Sequence, residues 1–313
     1  ASTWNPHLVE RVATEIRQQL EAVGVDLTLS PVADVSRDSR WGRTEETYGE
    51  DPYLVARMAT ACVAGLQGPD RDGVFATLKH FAGHGASRGG RNRASVDVSS
   101  RVFRERHLFP FEAALDAGDA ASVMAAYHDV DGVPCHASHE LLTDLLRDEW
   151  GFDGTVVSDG RGIEMLATSH RVAPDRRSAG VMAMNAGVDV EVPETECYGD
   201  ELVAAVEAGR VDERRIDEAV RRHLREKARL GLFDGPFVDP AVAPVAFETD
   251  AQRDLARKAA RQSIVLLQNE GNLLPLGTDP DTVAVVGPNA DAPRNQLGNY
   301  AYGANDEKDS GVP

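Results

Sequence analysis

A carboxylate follows a short apolar run near the middle of the chain. Thr155–Val157 consists of residues that favour strands, glycines stand at positions 154 and 160, and Asp159 follows after one serine. The strands of α/β barrels carry catalytic groups at their carboxyl ends. A carboxylate buried there is costly unless positive or hydrogen-bonding groups surround it. Asp159 is therefore a candidate catalytic group if the other strands end in such residues.

Cationic residues do follow other strand-like runs. Lys79 and His80 come directly after the run 74–78, and Arg43 lies beyond the run 25–30, after a Trp-Gly pair. The chain contains few lysines, so a lysine beside a histidine at a strand end is informative. An ammonium, an imidazole and a guanidinium fork can all bind sugar hydroxyls. Phosphate is the rival ligand, although no Gly-rich loop opens a helix here.

Simpler interpretations exist for several neighbouring polar residues. Arg37, Asp38 and Arg40 could form ion pairs that hold their loop rigid. Tyr127, after the run 121–126, could offer a ring edge and a hydroxyl to a ligand or be an ordinary core residue. Asp189 and Glu191, on one face of the last run, could pair with arginines.

The histidines also suggest a metal site. The set comprises His80, His84, His136 and His139, with Cys135 beside the third. These residues lack the His-Glu-x-x-His spacing, and a His-x-x-x-His pair binds from one face only on a helix, which Phe81-Ala82-Gly83 disfavours. We predict no metal and no cofactor. A metal-dependent barrel hydrolase that uses these four histidines remains an alternative.

Strand-like and helical segments alternate along the chain. The strand-like runs are 25–30, 74–78, 121–126, 155–158 and 188–192. The helical patterns are 53–66, 102–117, 138–150, 176–186 and 200–208. Alternation of this kind predicts βα units with a parallel sheet. The number of units favours an α/β fold of the TIM-like (β/α)8 barrel type.

The end of the chain has a different organisation. A helix at 212–230 begins at an Asp and ends at Gly231, and residues 231–244 contain three prolines and two glycines. A helix at 251–261 and strand-like runs at 264–268 and 283–287 follow. We predict a catalytic barrel domain at 1–230, a linker at 231–250 and the beginning of an α/β sandwich domain at 251–313.

Composition narrows the class of partner. The net charge of −18 disfavours nucleic acid and anionic membranes as partners. An acidic, arginine-rich and lysine-poor surface would suit high salt, and GC-rich codon usage explains it equally well. The three cysteines lack metal-ligand spacing and are predicted to be buried thiols, with a Cys135–Cys197 disulfide as the alternative. No run is long enough to span a membrane.

The ends of the sequence suggest a fragment. The sequence opens at Ala1 directly into an amphipathic helix, and its last residues are polar. We expect a piece of a longer protein. A cytoplasmic location is predicted, with secretion as the alternative, because a signal peptide could precede Ala1.

Taken together, the motifs resemble glycoside hydrolase family 3, which contains β-glucosidases and β-xylosidases. The resemblance extends from about Asn5 to Tyr300. The motifs that carry it are residues 37–43 (RDSRWGR), 48–53 (YGEDPY), 79–81 (KHF), 124–127 (MAAY), 141–143 (LLT), 150–154 (WGFDG), 158–159 (SD) and 230–233 (LGLF). Residues 188–193 and 196–199 resemble the bacterial and archaeal β-glucosidase and β-xylosidase branch most.

The resemblance implies a function and a site. The protein would be an exo-acting retaining β-glycosidase that hydrolyses terminal non-reducing β-D-glucosyl or β-D-xylosyl residues of small-molecule glycosides, without a cofactor. Asp159 would be the catalytic nucleophile and form a covalent glycosyl-enzyme. The substrate-binding residues would be Arg43, Lys79, His80, Met124 and Tyr127.

The sequence departs from the family pattern at several positions. Gly160 stands where an aromatic residue usually follows the nucleophile, and His128 stands where asparagine is common. Residues 87–93 lack the His-Asp pair of the N-acetylglucosaminidase branch, which is therefore disfavoured. In the other branches a glutamate of the following domain is the general acid/base, and the first barrel strand would precede Ala1. We expect this chain alone to be weakly active or inactive, and a non-catalytic sugar-binding relative is a further alternative.

Overall fold

A computed structural model describes residues 1–235, 237–278 and 282–298. The contacts divide the chain into two compact units, Ala1–Ile264 and Val265–Pro313. The first unit contains the predicted barrel and also the helix at Asp250–Ser263. The predicted domain limits at 230 and 250 remain predictions, and the contacts place the division of the chain after Ile264.

The strands of the first unit form a parallel sheet. They are β1 (Leu27–Thr28), β2 (Phe75–Phe81), β3 (Ser122–Ala125) and β6 (Thr155–Val157), and a separate antiparallel pair consists of β4 (Asp129–Val130) and β5 (Val133–Pro134). The sheet order is β1-β2-β3-β6. Val190 adds a parallel bridge to Val157, beside β6. The five strand-like runs of the sequence thus lie side by side in chain order.

Helices follow the strands and cover the sheet. They are α1 (Pro6–Ala22), α2 (Pro52–Gln67), α3 (Ser100–Val102), α4 (Phe109–Gly118), α5 (Met165–Thr168), α6 (Arg176–Ala186), α7 (Asp200–Glu207), α8 (Glu213–Arg229), α9 (Ala243–Ala246) and α10 (Asp250–Ser263). The segments Phe103–Leu108 and Glu140–Glu149 are π-helical. Helix α1 packs on α2, and α2 packs on α4.

Local sequence explains where the main helices begin. The side chains of Asn5, Asp51 and Asp175 accept the N–H groups of Leu8, Leu54 and Ser178, and so cap α1, α2 and α6. Proline occupies the first turn of α1 and α2, where its missing N–H carries no penalty.

The core lies between the sheet and these helices. Leu78 and Phe81 of β2 are fully buried, and the ring of Phe81 contacts those of Phe111 and Trp150 edge-on at 5.3 and 5.9 Å between centroids. Along β3, Val123 and Ala125 join this core, whereas the buried Met124 does not. Met124 therefore lies on the inner face of the sheet, because neighbouring side chains of a strand alternate. The three cysteines are buried and free.

The prediction of two strands near the end of the chain is wrong for the described residues. Neither 264–268 nor 283–287 forms a strand there, and Leu267 and Val286 are 91% and 84% exposed. A strand requires a hydrogen-bonded neighbour and its apolar side chains require a core. Both segments have the apolar pattern of a strand, but neither pairs with a neighbouring strand in the described residues. Nowhere in the described residues does a helix combine the length and apolarity needed to span a bilayer.

Candidate active site

The carboxyl ends of β2 and β6 and the loop after β1 meet at one edge of the sheet. Asp159, two residues after β6, lies with one carboxylate oxygen, Oδ2, 3.7 Å from Nε2 of His80 in β2. The other oxygen, Oδ1, accepts a hydrogen bond of 2.8 Å from the N–H of Gly160. Oδ2 is buried and has no hydrogen-bond partner among the described residues. The structure thus holds a carboxylate with one oxygen engaged and the other available.

His80 is held by a buried carboxylate that sequence reasoning did not identify as functional. Asp34, after β1, accepts from the ring nitrogen Nδ1 of His80 at 2.8 Å and from its backbone N–H at 3.0 Å. Its second oxygen accepts the backbone N–H of His84 at 3.1 Å. Burial raises the pKa of Asp34, whereas the neighbouring His84, the N–H of His80 and the charge of Arg43 favour its carboxylate form.

The bonds around His80 fix its protonation. A guanidinium nitrogen of Arg43 lies 2.9 Å from Nε2 of His80. Because a guanidinium can only donate, Nε2 must accept, and the proton of the neutral ring lies on Nδ1 toward Asp34. Burial, followed by the charge of Arg43, lowers the pKa of His80 to about 3. His80 is therefore a neutral residue at physiological pH and does not protonate Asp159.

Arg43 and Lys79 supply the positive charge. Arg43 makes a two-pronged ion pair with Glu46, at 2.7 and 2.8 Å, in which both side chains are largely buried. Burial, followed by the charge of Arg43, lowers the pKa of Lys79, and the carboxylates of Asp159 and Glu46 oppose this. The carboxylate of Asp159 raises the pKa of both Lys79 and His80 against the effect of burial.

A pair of histidines, His84 and His128, supports the arrangement around His80. Nδ1 of His84 lies 3.2 Å from Nδ1 of His128, whose Nε2 donates to the carbonyl of Ala82 at 3.1 Å. Nδ1 of His128 must then accept, and His84 must donate. The rings stack with centroids 5.3 Å apart. Burial lowers the pKa of His128 to about 4 and that of His84 well below its usual value. The unusual His128 thus orients His84.

Tyr127 reaches the residue that follows the nucleophile candidate. Its hydroxyl donates to the carbonyl of Gly160 at 3.0 Å, and its ring centroid lies 6.2 Å from that of His84. Met124 pairs in register with Val157, two residues before Asp159, and is buried on the inner face. Tyr127 is therefore part of the site rather than of the outer core.

His136 lies behind Asp159. Its Nε2 accepts the backbone N–H of Asp159 at 3.1 Å, and burial lowers its pKa to about 3. His139 is exposed and pairs instead with Asp144 at 3.0 Å. The four histidines of the metal alternative are thus not brought together. Among the described residues, no three side chains of the His, Cys, Asp and Glu types converge on a cation position.

The other polar candidates lie outside the site. Of the predicted cluster of Arg37, Asp38 and Arg40, Asp38 and Arg40 form an exposed pair at 2.7 Å, whereas Arg37 forms no ion pair among the described residues. Asp189 pairs with arginines of the surrounding helices, and Glu191 accepts the backbone N–H groups of Cys197 and Tyr198. These two acidic residues do not share a partner, although their spacing puts them on one strand face.

Comparison with known proteins identifies relatives of the chain. A family model described as the Glycosyl hydrolase family 3 N terminal domain matches residues 1–225, and the C-terminal domain model of the same family matches residues 264–310. A β-xylosidase of Formosa agariphila is 41% identical over 96% of this chain and 43% of its own length. A periplasmic β-glucosidase of Salmonella typhimurium is 38% identical over 96% of this chain and 40% of its own. The chain thus spans about two fifths of the length of these relatives.

Solved structures agree with these matches. A β-glucosidase of Erythrobacter marinus superposes with a TM-score of 0.84 at 40% identity, and one of Listeria innocua with 0.85 at 36% identity. In both cases 88% of this chain is covered, with 37% and 39% of the other chain. The predicted α/β barrel fold and the predicted family resemblance are confirmed.

Proposed function

Because this chain belongs to glycosyl hydrolase family 3, we propose that it forms the nucleophile-bearing part of an exo-acting retaining β-glycosidase. The substrates are glycosides with a terminal non-reducing β-D-glucosyl or β-D-xylosyl residue. The relatives named β-xylosidase and β-glucosidase support this class. The Listeria innocua enzyme, which has been solved with laminaribiose and with glucose, supports a small sugar ligand.

The free oxygen of Asp159 carries the proposal. Oδ2 is shielded from water and accepts no hydrogen bond from the described residues, so its lone pairs are available. In the first step Oδ2 forms a bond to the anomeric carbon while the bond from that carbon to the leaving oxygen breaks. In the second step water replaces Asp159 at the same carbon, and the configuration is retained.

The cationic neighbours have two roles in this proposal. Lys79 and Arg43 place positive charge in the site, and the carboxylate of Asp159 in turn favours the charged form of Lys79 by raising its pKa against the effect of burial. Lys79 and Arg43 also bind hydroxyls of the terminal sugar, and His80 binds one when that hydroxyl replaces Arg43 at its Nε2, while Met124 and Tyr127 flank the nucleophile. The proton for the leaving oxygen comes from a carboxylic acid outside the described residues, which typically contributes about 10²- to 10⁴-fold in rate. We therefore propose that this chain alone is a poor catalyst.

A mechanism-based inactivator tests the role of Asp159. The full-length protein is incubated with a 2-deoxy-2-fluoro-β-glycosyl fluoride, and intact-mass and peptide analysis locates the adduct. We expect one glycosyl group on the peptide that contains Asp159, and none in Asp159→Ala. Azide should restore turnover of an activated aryl glycoside by Asp159→Ala, because it replaces the missing nucleophile.

Other results of this experiment point elsewhere. An Asp38→Asn control should be labelled like the wild type, since its pair with Arg40 is exposed. Sugar binding without an adduct would indicate the non-catalytic relative, and activity lost to a chelator would indicate the metal-dependent hydrolase. Relative rates on aryl glucoside and aryl xyloside decide which sugar is preferred.

A further inference from the structure

We propose that Arg93 forms a subsite for a negatively charged group on the leaving-group side of the substrate. This inference rests on the proposed glycosidase function. The cationic centre of Arg93 lies over the ring of Tyr127, 4.1 Å from its centroid. The hydroxyl of the same tyrosine donates to the carbonyl of Gly160. One aromatic ring therefore separates Arg93 from the residue next to the nucleophile.

The loop that carries Arg93 is held firmly against the site. Oδ1 of Asn92 accepts the indole N–H of Trp41 at 3.1 Å. Gly90 packs so closely on the 40–41 backbone that a Cβ there would meet Trp41 N at 2.9 Å. The N–H of Ala94 closes a turn onto the carbonyl of Arg91 at 3.1 Å. Arg93 itself has a φ of +69°, a left-handed conformation that is costly for a residue with a side chain. The turn thus directs Arg93 onto Tyr127 despite this cost.

The charge of Arg93 is not neutralised locally. Among the described residues, no carboxylate lies within ion-pair distance of its guanidinium, whereas Arg88 in the same loop pairs with Asp97. Residues 87–96 contain three arginines and no acidic residue, in a chain whose net charge is −18. A guanidinium that lies over a ring keeps N–H donors at its edge, where they match the two oxygens of a carboxylate.

The burial of the site residues indicates that Arg93 lies on the leaving-group side. His80 is 1% exposed, and the side chain of Arg43 is 11% exposed, so the groups proposed to bind the terminal sugar lie at the bottom of the site. Arg93 is exposed at the rim. An exo-acting enzyme holds the terminal sugar at the bottom, and the leaving group then points outward. The absence of a side chain at Gly160 lets the Tyr127 hydroxyl approach closely, since a Cβ there would lie 3.3 Å from that oxygen.

The expected ligand is therefore an aglycone with a carboxylate or another planar, anionic oxygen group. A uronic acid or an aromatic acid at this position would satisfy the donors of Arg93. The acidic surface of the rest of the chain repels such a ligand, so the local cation would be decisive for its binding.

A matched pair of substrates tests this inference on the full-length protein. The pair is a carboxylated nitrophenyl β-glycoside and its uncharged methyl ester. Both carry the same terminal sugar, glucosyl or xylosyl, whichever the protein removes faster. The measured quantity is the ratio of kcat/KM for the carboxylate to that for the ester. Replacing Arg93 by Gln should lower this ratio about 3- to 10-fold, the effect of one partly exposed charge pair. Arg93→Lys should retain part of the preference, and added salt should reduce it.

Arg91→Gln is the matched control. Arg91 is exposed in the same loop, and its replacement by Gln removes the same charge. Its ratio should equal that of the wild type. An unchanged ratio in Arg93→Gln overturns the inference, and so does an equal decrease in Arg91→Gln, which would indicate the charge of the loop as a whole. If the wild type hydrolyses the ester but Arg93→Gln leaves the ratio of kcat/KM unchanged, the proposed glycosidase function stands and the proposed subsite is wrong. If it hydrolyses neither substrate, both proposals fail.

Discussion

Asp34 is the residue on which the geometry of the candidate site depends. Its two oxygens accept three N–H groups, two from His80 and one from His84, and it is 1% exposed. These bonds fix the positions of His80 and His84. His80 contacts Arg43 and lies near Asp159, and His84 contacts His128. Asp34 therefore acts as a positioning residue and does not touch the proposed substrate position itself.

We predict that Asp34→Asn lowers kcat/KM about 10²-fold, because an amide cannot accept all three N–H groups and His80 will shift. A buried donor left without a partner should also cost about 1–3 kcal/mol of the free energy of unfolding. Steady-state kinetics and urea denaturation of the full-length protein measure the two effects. Asp38→Asn is the control. Activity of Asp34→Asn within twofold of the wild type would contradict the positioning role.

Sequence reasoning predicted part of this site for a physical reason. Lys79 and His80 lie in the last residues of β2, and Asp159 follows β6. Parallel strands bring their carboxyl ends to one edge, so the proximity of these residues follows from local patterns. Asp34 was not singled out as a site residue, and His136 was considered only as a ligand of the alternative metal site. Their role depends on hydrogen bonds across 46 and 23 residues of sequence. No local spacing reports such bonds, although a buried Asp after a strand is a usable signal.

At the scale of elements, a buried ion cluster joins the other end of the sheet to its helices. The side chain of Asp189 is fully buried and accepts from Arg147 of the π-helical segment at 2.6 Å and from Arg222 of α8 at 3.0 Å. It also accepts the N–H of Val156 in β6 at 2.9 Å. One carboxylate thus connects three elements that are distant in sequence.

We predict that Asp189→Asn destabilises the chain by about 3–5 kcal/mol, because it leaves buried arginine charges without a counterion. The control is Asp153→Asn, which breaks a pair with Arg225 in which Asp153 is 78% exposed. That change should cost less than about 1 kcal/mol. Urea denaturation of both variants measures the difference. Equal stability of the two would show that the cluster does not connect the elements energetically.

Elements were predicted best where their signals are local. Helix α6 has the predicted limits, and α2 exceeds its prediction by one residue at each end, because caps and apolar periodicity mark both. The helix predicted at 102–117 contains a π-helical segment, and α4 begins after it at Phe109, with Pro110, which lacks an N–H, in its first turn. The strands predicted at 264–268 and 283–287 were wrong because strand formation requires a partner that the pattern does not specify.

At the scale of the whole molecule, the net negative charge is large, and some acidic residues form no ion pair among the described residues. The formal net charge is −18, and some of the arginines, such as Arg43 and Arg147, are committed to largely buried ion pairs. Glu207 and Asp217 are examples of exposed acidic residues that have no ion pair among the described residues. Repulsion between such charges destabilises the compact state, and salt screens it. A source that lives in high salt remains a prediction from composition.

We predict that the thermal midpoint of the full-length protein rises as NaCl increases from about 0.05 to 1 M, over which the Debye length falls from about 14 to 3 Å. KCl should have the same effect, because screening depends on ionic strength. The double variant Glu207→Lys and Asp217→Lys has less self-repulsion, and its midpoint should rise by a smaller amount. Differential scanning calorimetry at fixed pH measures these shifts. A midpoint that falls with salt would indicate that the ion pairs, which salt weakens, outweigh the repulsion.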